Sequence, residues 1–390
     1  DNGHDHNRPN TFGPQSVNAL NNAITDAIGR NPAAIAITGK PFIFAAGADL
    51  SALSFLTDRS QALAIGKLGH DVFRRLGESK IPTFAFINGL ALGGGLEVGL
   101  HCHYRTVSST AFTALPEVFL GLVPGWGGAT ILPKLIGPER AVQVIMLNAL
   151  NNNTMMKAKD ALKLGVVDAM FDPADFLERS IGFAVGILNG TTKIERADYS
   201  NDPAWETALA TGKAAALKKY GGATIASPMK ALELIAAARS NTLGEGFDAE
   251  DQVLADLTMS DTLRSSLYAF NVIQKKRKKV EGAPKPALAR KVTKVGIVGA
   301  GLMASQLALL MVRNLKCPVV MTDIDQERAD KGVAWVKNEL AKLVEKKRMS
   351  PESAGRLSLL VSGSADQSVF AGCDFIIEAI FEELSLKQEL

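Results

Sequence analysis

Short apolar runs alternate with helical segments over the first 167 residues of the chain. Three runs, at 34–38, 83–87 and 104–107, contain many β-branched or aromatic residues and are predicted strands. Strands that alternate with helices are typical of an α/β domain built from strand–helix–strand units. Glycine clusters at 93–95 and 125–128 interrupt this pattern. Such clusters usually mark places where the backbone approaches a ligand closely.

From about residue 176 to residue 279 the apolar positions change to a spacing of three and four residues. This spacing predicts helices, for example at 229–238 and 265–273, which we interpret as packing or connecting helices. A basic run at 275–279 and a Pro- and Lys-bearing stretch at 281–286 then predict a linker. A basic run can bind nucleic acid, but this one has no interleaved aromatic residues. A solvated helix end is therefore the favoured interpretation.

A second α/β unit begins at Lys294. A strand at 295–298 is followed by a glycine turn, a helix that ends near Asn314 and a second strand at 319–322. This order predicts one βαβ unit. We therefore divide the chain into three parts, which are an α/β domain at 1–190, a helical and linker region at 191–290, and a second α/β domain at 291–390.

Composition excludes several classes of protein. Hydrophobic residues make up 47% of the 390 residues and the formal net charge is +3, which is typical of globular domains and too small to attract nucleic acid. The three cysteines, at 102, 317 and 373, are far apart, so no disulfide framework is predicted and the cytoplasm is the expected compartment. No apolar run reaches the ~20 residues of a transmembrane helix. Because the chain starts without Met and stops inside a predicted helix, we expect a fragment.

The segments around the first glycine cluster predict two backbone N–H groups in one cleft. Residues 41–50 leave a strand through small residues, so an N–H such as that of Ala48 can point into a cleft. A helix is expected to start after the cluster at 93–95, and helix N-termini carry unpaired N–H groups that attract negative charge. Two donors that converge on one oxygen would form an oxyanion hole for a thioester enolate.

Two glutamates are close to these donors in the sequence. Glu97 follows the triple glycine, and Glu117 lies in a Leu-Pro-Glu-Val run ahead of the second cluster. If both face one cleft, their surroundings would separate their pKa values and give one acid and one base. Addition of water to a conjugated double bond needs such a pair, one to activate water and one to deliver a proton. Either glutamate alone would be interpreted as a solvated capping charge.

Four ordered motifs resemble the crotonase (enoyl-CoA hydratase/isomerase) superfamily over roughly residues 1–190. They are Ala-Gly-Ala-Asp at 46–49, Gly-Gly-Gly-Leu-Glu at 93–97, Leu-Pro-Glu at 115–117 and Leu-Val-Pro-Gly-Trp-Gly-Gly at 122–128. The resemblance implies an α/β fold made of a spiral of ββα repeats. It also implies an acyl thioester substrate, with coenzyme A as part of that substrate.

The resemblance also implies roles for single residues. Ala48 and Gly94 would supply the oxyanion-hole N–H groups, and Glu97 and Glu117 would be the catalytic pair. In this assignment Glu117 delivers the proton to C2, and Gly125 helps to place the attacking water.

For coenzyme A itself, the resemblance places Ala46 against the adenine. Members of the family often have a Lys at the position of Ser51 in this chain. The cations that hold the phosphates are therefore undetermined, with Lys40 as one candidate.

A glycine-rich turn in the second α/β domain predicts a nucleotide site. The run Gly-Ala-Gly-Leu-Met-Ala at 299–304 follows a strand and opens a helix, and an aspartate ends the next strand. In this context the glycines let a pyrophosphate approach the helix N-terminus, and the carboxylate of the aspartate accepts hydrogen bonds from the adenosine ribose. A carboxylate beside the ribose disfavours a 2′-phosphate, so NAD is predicted rather than NADP. The residues expected at this site are Gly299, Gly301, Leu302, Met303 and Asp323.

Residues 291–390 resemble the NAD-binding half of 3-hydroxyacyl-CoA dehydrogenases, which implies a doubly wound Rossmann fold. The resemblance places Glu382 and Lys387 at the edge of the nicotinamide site, and the catalytic His-Glu pair of that family beyond Leu390. A hydratase followed by such a dehydrogenase resembles the multifunctional enzymes of fatty-acid β-oxidation. That resemblance implies a thiolase β subunit as partner and an oligomeric assembly.

Two other interpretations stay open at this stage. The chain could be a crotonase-fold isomerase or lyase that acts on another acyl-CoA, although the presence of both glutamates favours hydration. It could also be a scaffold that binds coenzyme A and NAD without turnover. Trp126 could line an acyl pocket or fill the core. The histidine pairs at positions 4 and 6 and at 101 and 103 lack further ligands in the sequence, so structural histidines are expected there.

Overall fold

The computed structural model describes residues 9–53, 56–273 and 282–390. The chain forms two compact units, Asp1–Val280 and Glu281–Leu390. The histidine pair at positions 4 and 6 and the basic run at 275–279 lie outside the described residues. Within the described residues, no helix combines the length and the apolar character that crossing a membrane requires.

The strands of the first unit belong to two sheets. They are β1 (Ile35–Thr38), β2 (Ile43–Ala45), β3 (Thr83–Ile87), β4 (Leu90–Leu92), β5 (Tyr104–Ser108), β6 (Phe112–Ala114), β7 (Met156–Lys157) and β8 (Ala169–Phe171). One sheet has the order β1-β3-β5-β8, and all its pairs are parallel. The other has the order β2-β4-β6-β7, with one antiparallel pair, β6 and β7.

Helices follow and cover these strands. They are α1 (Pro14–Gly29), α2 (Leu50–Leu53), α3 (Arg59–Gly77), α4 (Gly94–His101), α5 (Glu117–Leu120), α6 (Gly128–Ile136), α7 (Pro138–Val142), α8 (Asn148–Leu150), α9 (Ala158–Leu164), α10 (Phe176–Leu188), α11 (Trp205–Lys219), α12 (Ala226–Ala237), α13 (Leu243–Thr258) and α14 (Asp261–Asn271). A π-helical turn, Gln143–Leu147, joins α7 to α8.

The chain enters the two sheets alternately, which produces a spiral of ββα repeats. β1, β3 and β5 lie in the first sheet, and each leads to a short strand of the second sheet, β2, β4 or β6. A helix follows each of those short strands. The fold implied by the resemblance is therefore confirmed for this unit, and the strands expected at 34–38, 83–87 and 104–107 are β1, β3 and β5.

The core of the first unit lies between the sheets and the helices. All five residues of β3 are buried, as expected for a central strand of a parallel sheet with both faces covered. The helix α13 packs against α3. The helices at 205–271 therefore belong to the same compact unit as the strands.

The second unit is a four-stranded parallel sheet with helices. Its elements are β9 (Val295–Val298), α15 (Leu302–Leu315), β10 (Val319–Thr322), α16 (Gln326–Glu345), α17 (Pro351–Ser358), β11 (Val361–Ser364), β12 (Phe375–Glu378) and α18 (Leu384–Glu389), with short 3-10 turns at Pro286–Leu288 and Gln367–Phe370. The strand order is β11-β10-β9-β12, which is the order 3-2-1-4 of a doubly wound dinucleotide fold. The predicted Rossmann fold is confirmed. In such sheets ligands bind where the strand order reverses, here between β9 and β12.

Candidate active site

Residues from several separate stretches of the chain surround one cavity in the first unit. The loop after β2, the start of α4, the first residue of α5 and the turn before α6 all reach it. The cavity has a volume of about 60 Å³, which is room for several water molecules. The five residues with expected catalytic roles all line it: Ala48, Gly94, Glu97, Glu117 and Gly125.

Two backbone N–H groups lie side by side at this cavity. A Cβ added to Gly94 would lie 3.7 Å from the Ala48 nitrogen, so the two nitrogens are close neighbours. Among the residues that the structure describes, none accepts a hydrogen bond from either N–H. The same added Cβ would lie 2.5 Å from the Trp126 ring, so only glycine fits at 94 without moving the cavity wall. Two free donors at the start of a helix can stabilise negative charge on one oxygen.

Glu97 is a buried carboxyl held by backbone donors. Its side chain is on α4 and the residue is only 2% exposed. The atom Oε1 accepts hydrogen bonds from the Trp126 N–H at 2.8 Å and the Gly128 N–H at 2.9 Å. Burial, followed by the charge of Glu250, raises the pKa of Glu97 to about 7, although the two N–H donors oppose this rise. Near neutral pH this carboxyl is therefore able to accept a proton.

Glu117 is the second carboxyl of the cavity and has fewer partners. It begins α5, and its Oε2 atom is buried with no hydrogen-bond partner among the described residues. A side chain at Gly93 would collide with Glu117 Oε1, and Gly93 also has φ +52°, a conformation that favours glycine. Burial, followed by the charge of Glu97, raises the pKa of Glu117 well above its usual value. A carboxyl whose pKa is raised in this way holds its proton more firmly than an ordinary glutamate, which suits the expected role of an acid.

Apolar side chains form the remaining walls. They are Leu53, Leu56, Ala62, Ile65, Leu122, Val123, Trp126 and Leu254. Trp126 both lines the cavity and fills the core, because its ring packs edge-on against Phe12 and Phe73. The helix α13 contributes Leu254, so a helix that the sequence pattern assigned to packing also shapes the site.

A second cavity of about 160 Å³ adjoins the first and shares Ala48, Glu117 and Leu122 with it. Ala46 lines this second cavity, and its expected contact with adenine stays a prediction. Lys40 lies in a turn, where its backbone carbonyl accepts a hydrogen bond from the Ile43 N–H at 3.1 Å. The role of Lys40 as a phosphate ligand also stays a prediction, and the side chain of Ser51 lies outside the described part of the structure.

The sequence analysis did not find three buried ionisable residues next to Glu97. They are His70 on α3 and the neighbours Glu250 and Asp251 on α13. Glu250 and Asp251 are on the apolar face of their helix, one turn from the buried Phe247. The sequence signal that could have found them is the acidic residues at core positions of an amphipathic helix. Such residues are seldom buried without a partner, so they indicate a buried polar contact.

The histidines at 101 and 103 have structural partners, as expected. His101 Nε2 donates to the Trp126 carbonyl at 3.0 Å, and burial lowers the pKa of His101 to about 3. His103 Nδ1 contacts the Thr83 hydroxyl at 2.7 Å. Between them, Cys102 is buried, which raises the pKa of its thiol to about 12.

The second unit has a cleft of about 630 Å³ at the point where its strand order reverses. A Cβ on Gly299 would lie 2.6 Å from the Ala379 carbonyl oxygen, so the turn after β9 packs closely against the end of β12. A Cβ on Gly301 would meet no heavy atom within 4 Å, so the N-terminus of α15 is open to a ligand. The predicted nucleotide-site residues that line this cleft are Gly299, Gly301, Leu302, Met303 and Asp323.

Asp323 fixes the glycine turn. Its Oδ2 accepts a hydrogen bond from the Ala300 N–H at 2.9 Å, so the carboxylate faces the turn as the fingerprint requires.

Glu382 and Lys387 have a different arrangement. The Lys387 ammonium group contacts Glu378 at 2.8 Å and Glu382 at 2.9 Å. Neither Glu382 nor Lys387 is among the described residues that line the cleft.

Comparison with known proteins gives matches for both units. Residues 4–221 match the family enoyl-CoA hydratase/isomerase, and residues 294–390 match the family 3-hydroxyacyl-CoA dehydrogenase, NAD binding domain. The chain is 31% identical to a fatty acid oxidation complex subunit alpha of Shewanella loihica, over 97% of this chain and 53% of that protein. It is also 31% identical to a peroxisomal fatty acid beta-oxidation multifunctional protein of Arabidopsis thaliana, over 94% of this chain and 50% of that protein.

The chain thus spans about half the length of these relatives. Among solved structures, a carnitinyl-CoA dehydratase from Mycobacterium thermoresistibile has a TM-score of 0.52 at 19% identity, covering 71% of this chain and 88% of that one. At that identity the match supports the fold alone. The first family match covers more than half of the chain and includes the five cavity residues with expected catalytic roles. The chain therefore belongs to the enoyl-CoA hydratase/isomerase family.

Proposed function

We propose that the first unit adds water across the double bond of a 2-enoyl-CoA thioester and forms 3-hydroxyacyl-CoA. One observation carries this proposal. Two buried carboxyls with raised pKa values share one cavity with two free backbone N–H groups. An isomerase or lyase needs only one proton carrier at such a site, whereas hydration uses both carboxyls.

The reaction assigns one step to each group. The ionised Glu97 takes a proton from water while the oxygen of that water bonds to C3, and the π electrons move toward the thioester oxygen. The N–H groups of Ala48 and Gly94 stabilise the resulting enolate. Glu117 then transfers its proton to C2. One water is added in total, and exchange of a proton between the two carboxyls and solvent restores the starting state.

Substitution Glu117→Gln tests the assignment. A carboxamide has nearly the same shape but has no proton to give, so kcat should fall by about 10²- to 10⁴-fold. The measurement is the loss of absorbance of crotonyl-CoA. Glu233→Gln is the matched control, because Glu233 is exposed on α12 and paired with Lys230. Unchanged hydration by the Glu117 variant would refute the proposal, and binding of crotonyl-CoA by the wild type without turnover would favour a scaffold.

We also infer that the second unit binds NAD. The open helix N-terminus at Gly301, the tight turn at Gly299 and the acid Asp323 suit a pyrophosphate and a ribose with a free 2′-hydroxyl. When bound, NAD would accept the hydride during oxidation of the 3-hydroxyacyl product. Glu382 and Lys387 are proposed to lie near the nicotinamide once it is bound.

The two reactions are consecutive, because the product of the hydratase is the substrate of a 3-hydroxyacyl-CoA dehydrogenase. The names of the two relatives, a fatty acid oxidation complex subunit and a β-oxidation multifunctional protein, support a role in β-oxidation. A thiolase β subunit as partner, an oligomeric assembly and a cytoplasmic location stay predictions. Copurification of the chain with a thiolase would test the first of these.

A further inference from the structure

A buried histidine lies between two carboxylates behind the cavity. His70 is only 2% exposed, and its ring nitrogens contact Asp251 at 2.8 Å and Glu250 at 3.1 Å. A neutral imidazole has a single N–H, so two carboxylate partners favour the imidazolium form. Desolvation lowers the pKa of His70, but the hydrogen bonds to Asp251 and Glu250 outweigh it and raise the pKa to about 9. His70 is therefore the positive partner of both acids at neutral pH.

The glycine turn at 125–128 is held by the same Glu250 oxygen that contacts His70. Glu250 Oε2 accepts a hydrogen bond from the Gly127 N–H at 2.6 Å. On the other side of the same peptide, the Trp126 carbonyl accepts a hydrogen bond from His101 at 3.0 Å. Both polar atoms of the Trp126–Gly127 peptide are thus fixed. Gly127 has φ +102°, which L side chains rarely adopt, so this orientation depends on glycine.

The neighbouring N–H groups of the turn point to Glu97. Those of Trp126 and Gly128 donate to Glu97 Oε1, whereas that of Gly127 donates to Glu250. Three consecutive N–H groups therefore alternate between two buried carboxylates. Because adjacent peptides share a Cα, a fixed central peptide restricts the orientations that the other two N–H groups can adopt toward Glu97.

Building on the hydration activity proposed above, we propose that Glu250 is a positioning residue for Glu97. Glu250 is held by His70, which Asp251 contacts in turn. Glu250 thereby fixes the central peptide of the turn and the two donors that orient the Glu97 carboxylate. Glu250 is not among the described residues that line the cavity, so it acts through the turn and does not touch the substrate.

The charge of Glu250 has a second consequence. After burial, this charge is the largest contribution that raises the pKa of Glu97, and the charge of His70 acts in the opposite direction. The ionisable groups around Glu97 are Glu117 on α5, His70 and Arg74 on α3, Glu250 and Asp251 on α13, and His101 on α4 itself.

Three substitutions at Glu250 separate its position from its charge. Glu250→Gln keeps an oxygen for the Gly127 N–H and removes the charge. Glu250→Ala removes both the acceptor and the charge. Glu250→Asp keeps the charge but shortens the side chain by one methylene, so the contact with Gly127 is lost. Asp248→Asn is the control, because Asp248 is exposed on the same helix and the substitution removes one charge.

With crotonyl-CoA as substrate, the Gln variant should keep a kcat close to that of the wild type at alkaline pH. Its kcat/KM should decline at a lower pH than in the wild type, since Glu97 becomes easier to ionise. The Ala and Asp variants should lose up to about 100-fold in kcat with little change in KM, because the base is misplaced. Equal kcat values for the Gln and Ala variants would overturn the proposal.

A titration of the Glu97 carboxyl by carbon-13 NMR gives a test without turnover, with the signal assigned by its loss in Glu97→Gln. The midpoint should be lower in Glu250→Gln than in the wild type, and higher in Glu250→Ala than in Glu250→Gln, because only Ala releases the N–H donors. The Asp248→Asn control should leave the midpoint of the Glu97 titration unchanged. Identical midpoints in all four proteins would overturn the proposal, even if the wild type proves unable to hydrate crotonyl-CoA.

If Glu250→Ala does not fold, Glu250→Asp replaces it in both measurements. Its negative charge is retained, so a higher Glu97 midpoint than in the wild type would report the loss of the N–H donors alone. An unchanged midpoint and an unchanged kcat in Glu250→Asp would contradict positioning.

Discussion

Glutamates in the two units have opposite surroundings. In the first unit Glu97 and Glu117 lie at an apolar cavity, and burial raises the pKa of both. In the second unit Glu378 is exposed, and its hydrogen bond with Lys387 lowers its pKa. The same type of side chain thus has a raised pKa in one unit and a lowered pKa in the other. Removal of water, and not the type of residue, makes a carboxyl suitable for acid–base chemistry near neutral pH.

Backbone N–H donors also distinguish the two glutamates of the cavity from each other. Glu97 is held by two N–H groups that limit the rise of its pKa, whereas Glu117 Oε2 has no such donor among the described residues. The two carboxyls of this cavity are therefore separated by their hydrogen-bond surroundings, which suits the proposed roles of a base and an acid. No such separation is needed in the second unit, where the proposed task is to bind a cofactor.

The largest effect is expected when the carboxyl of a buried glutamate is replaced by a carboxamide, with the same replacement at an exposed glutamate as control. Glu97→Gln should reduce kcat for crotonyl-CoA hydration by about 10²- to 10⁴-fold, because the base is lost. Glu378→Gln, made in the same chain, should leave hydration unchanged. Equal kcat values for the two variants would show that burial of a glutamate does not determine its contribution to hydration.

Stability should depend on pH through the buried pair. The folded pKa of Glu97, about 7, is above its ordinary value of 4.5, so the stability present below pH 4.5 is lost as the pH rises through 7. Glu97→Gln has no such loss and should be more stable than the wild type at pH 8, by on the order of 3 kcal/mol. Urea unfolding followed by tryptophan fluorescence at pH 4 and pH 8 measures this. A gain of equal size at both pH values would contradict the explanation.

A smaller effect is expected at the cofactor cleft. Asp323→Asn keeps an oxygen for the Ala300 N–H but weakens the bond to the ribose, so the Kd for NAD should rise about tenfold. Calorimetric titration with NAD gives the value. Asp330→Asn is the control on α16, where Asp330 contacts Gln326. Equal NAD affinity in the wild type and the Asp323 variant would argue against the ribose contact.

The smallest effect is expected from the ion pairs of Lys387 at the surface of the second unit. Lys387→Met removes the contacts with Glu378 and Glu382, yet water screens both pairs, so the Tm should not change measurably. Differential scanning calorimetry of the variant and the wild type tests this. A clear drop in Tm would show that the ion pairs of Lys387 stabilise the fold more than surface pairs usually do.

Local patterns in the sequence determined the main strands and both glycine turns. β1, β3 and β10 are continuous apolar or β-branched runs, and β5 and β9 have aromatic or β-branched residues at most positions, so their type follows from adjacent residues. The nucleotide fingerprint is equally local, since strand, turn and helix occur within one short segment. The short strands β2, β4 and β6 have three residues each, too few for an alternating pattern. They were missed for that reason.

Only the tertiary structure decided which side chains meet. The sequence named Glu97 and Glu117 but could not place them at one cavity, because that depends on how two sheets and their helices pack. It gave no indication of His70 meeting Glu250 and Asp251, which are 180 and 181 residues away. Burial and contacts between distant segments determine the charge state of these groups, and neither property is a function of neighbouring residues along the chain.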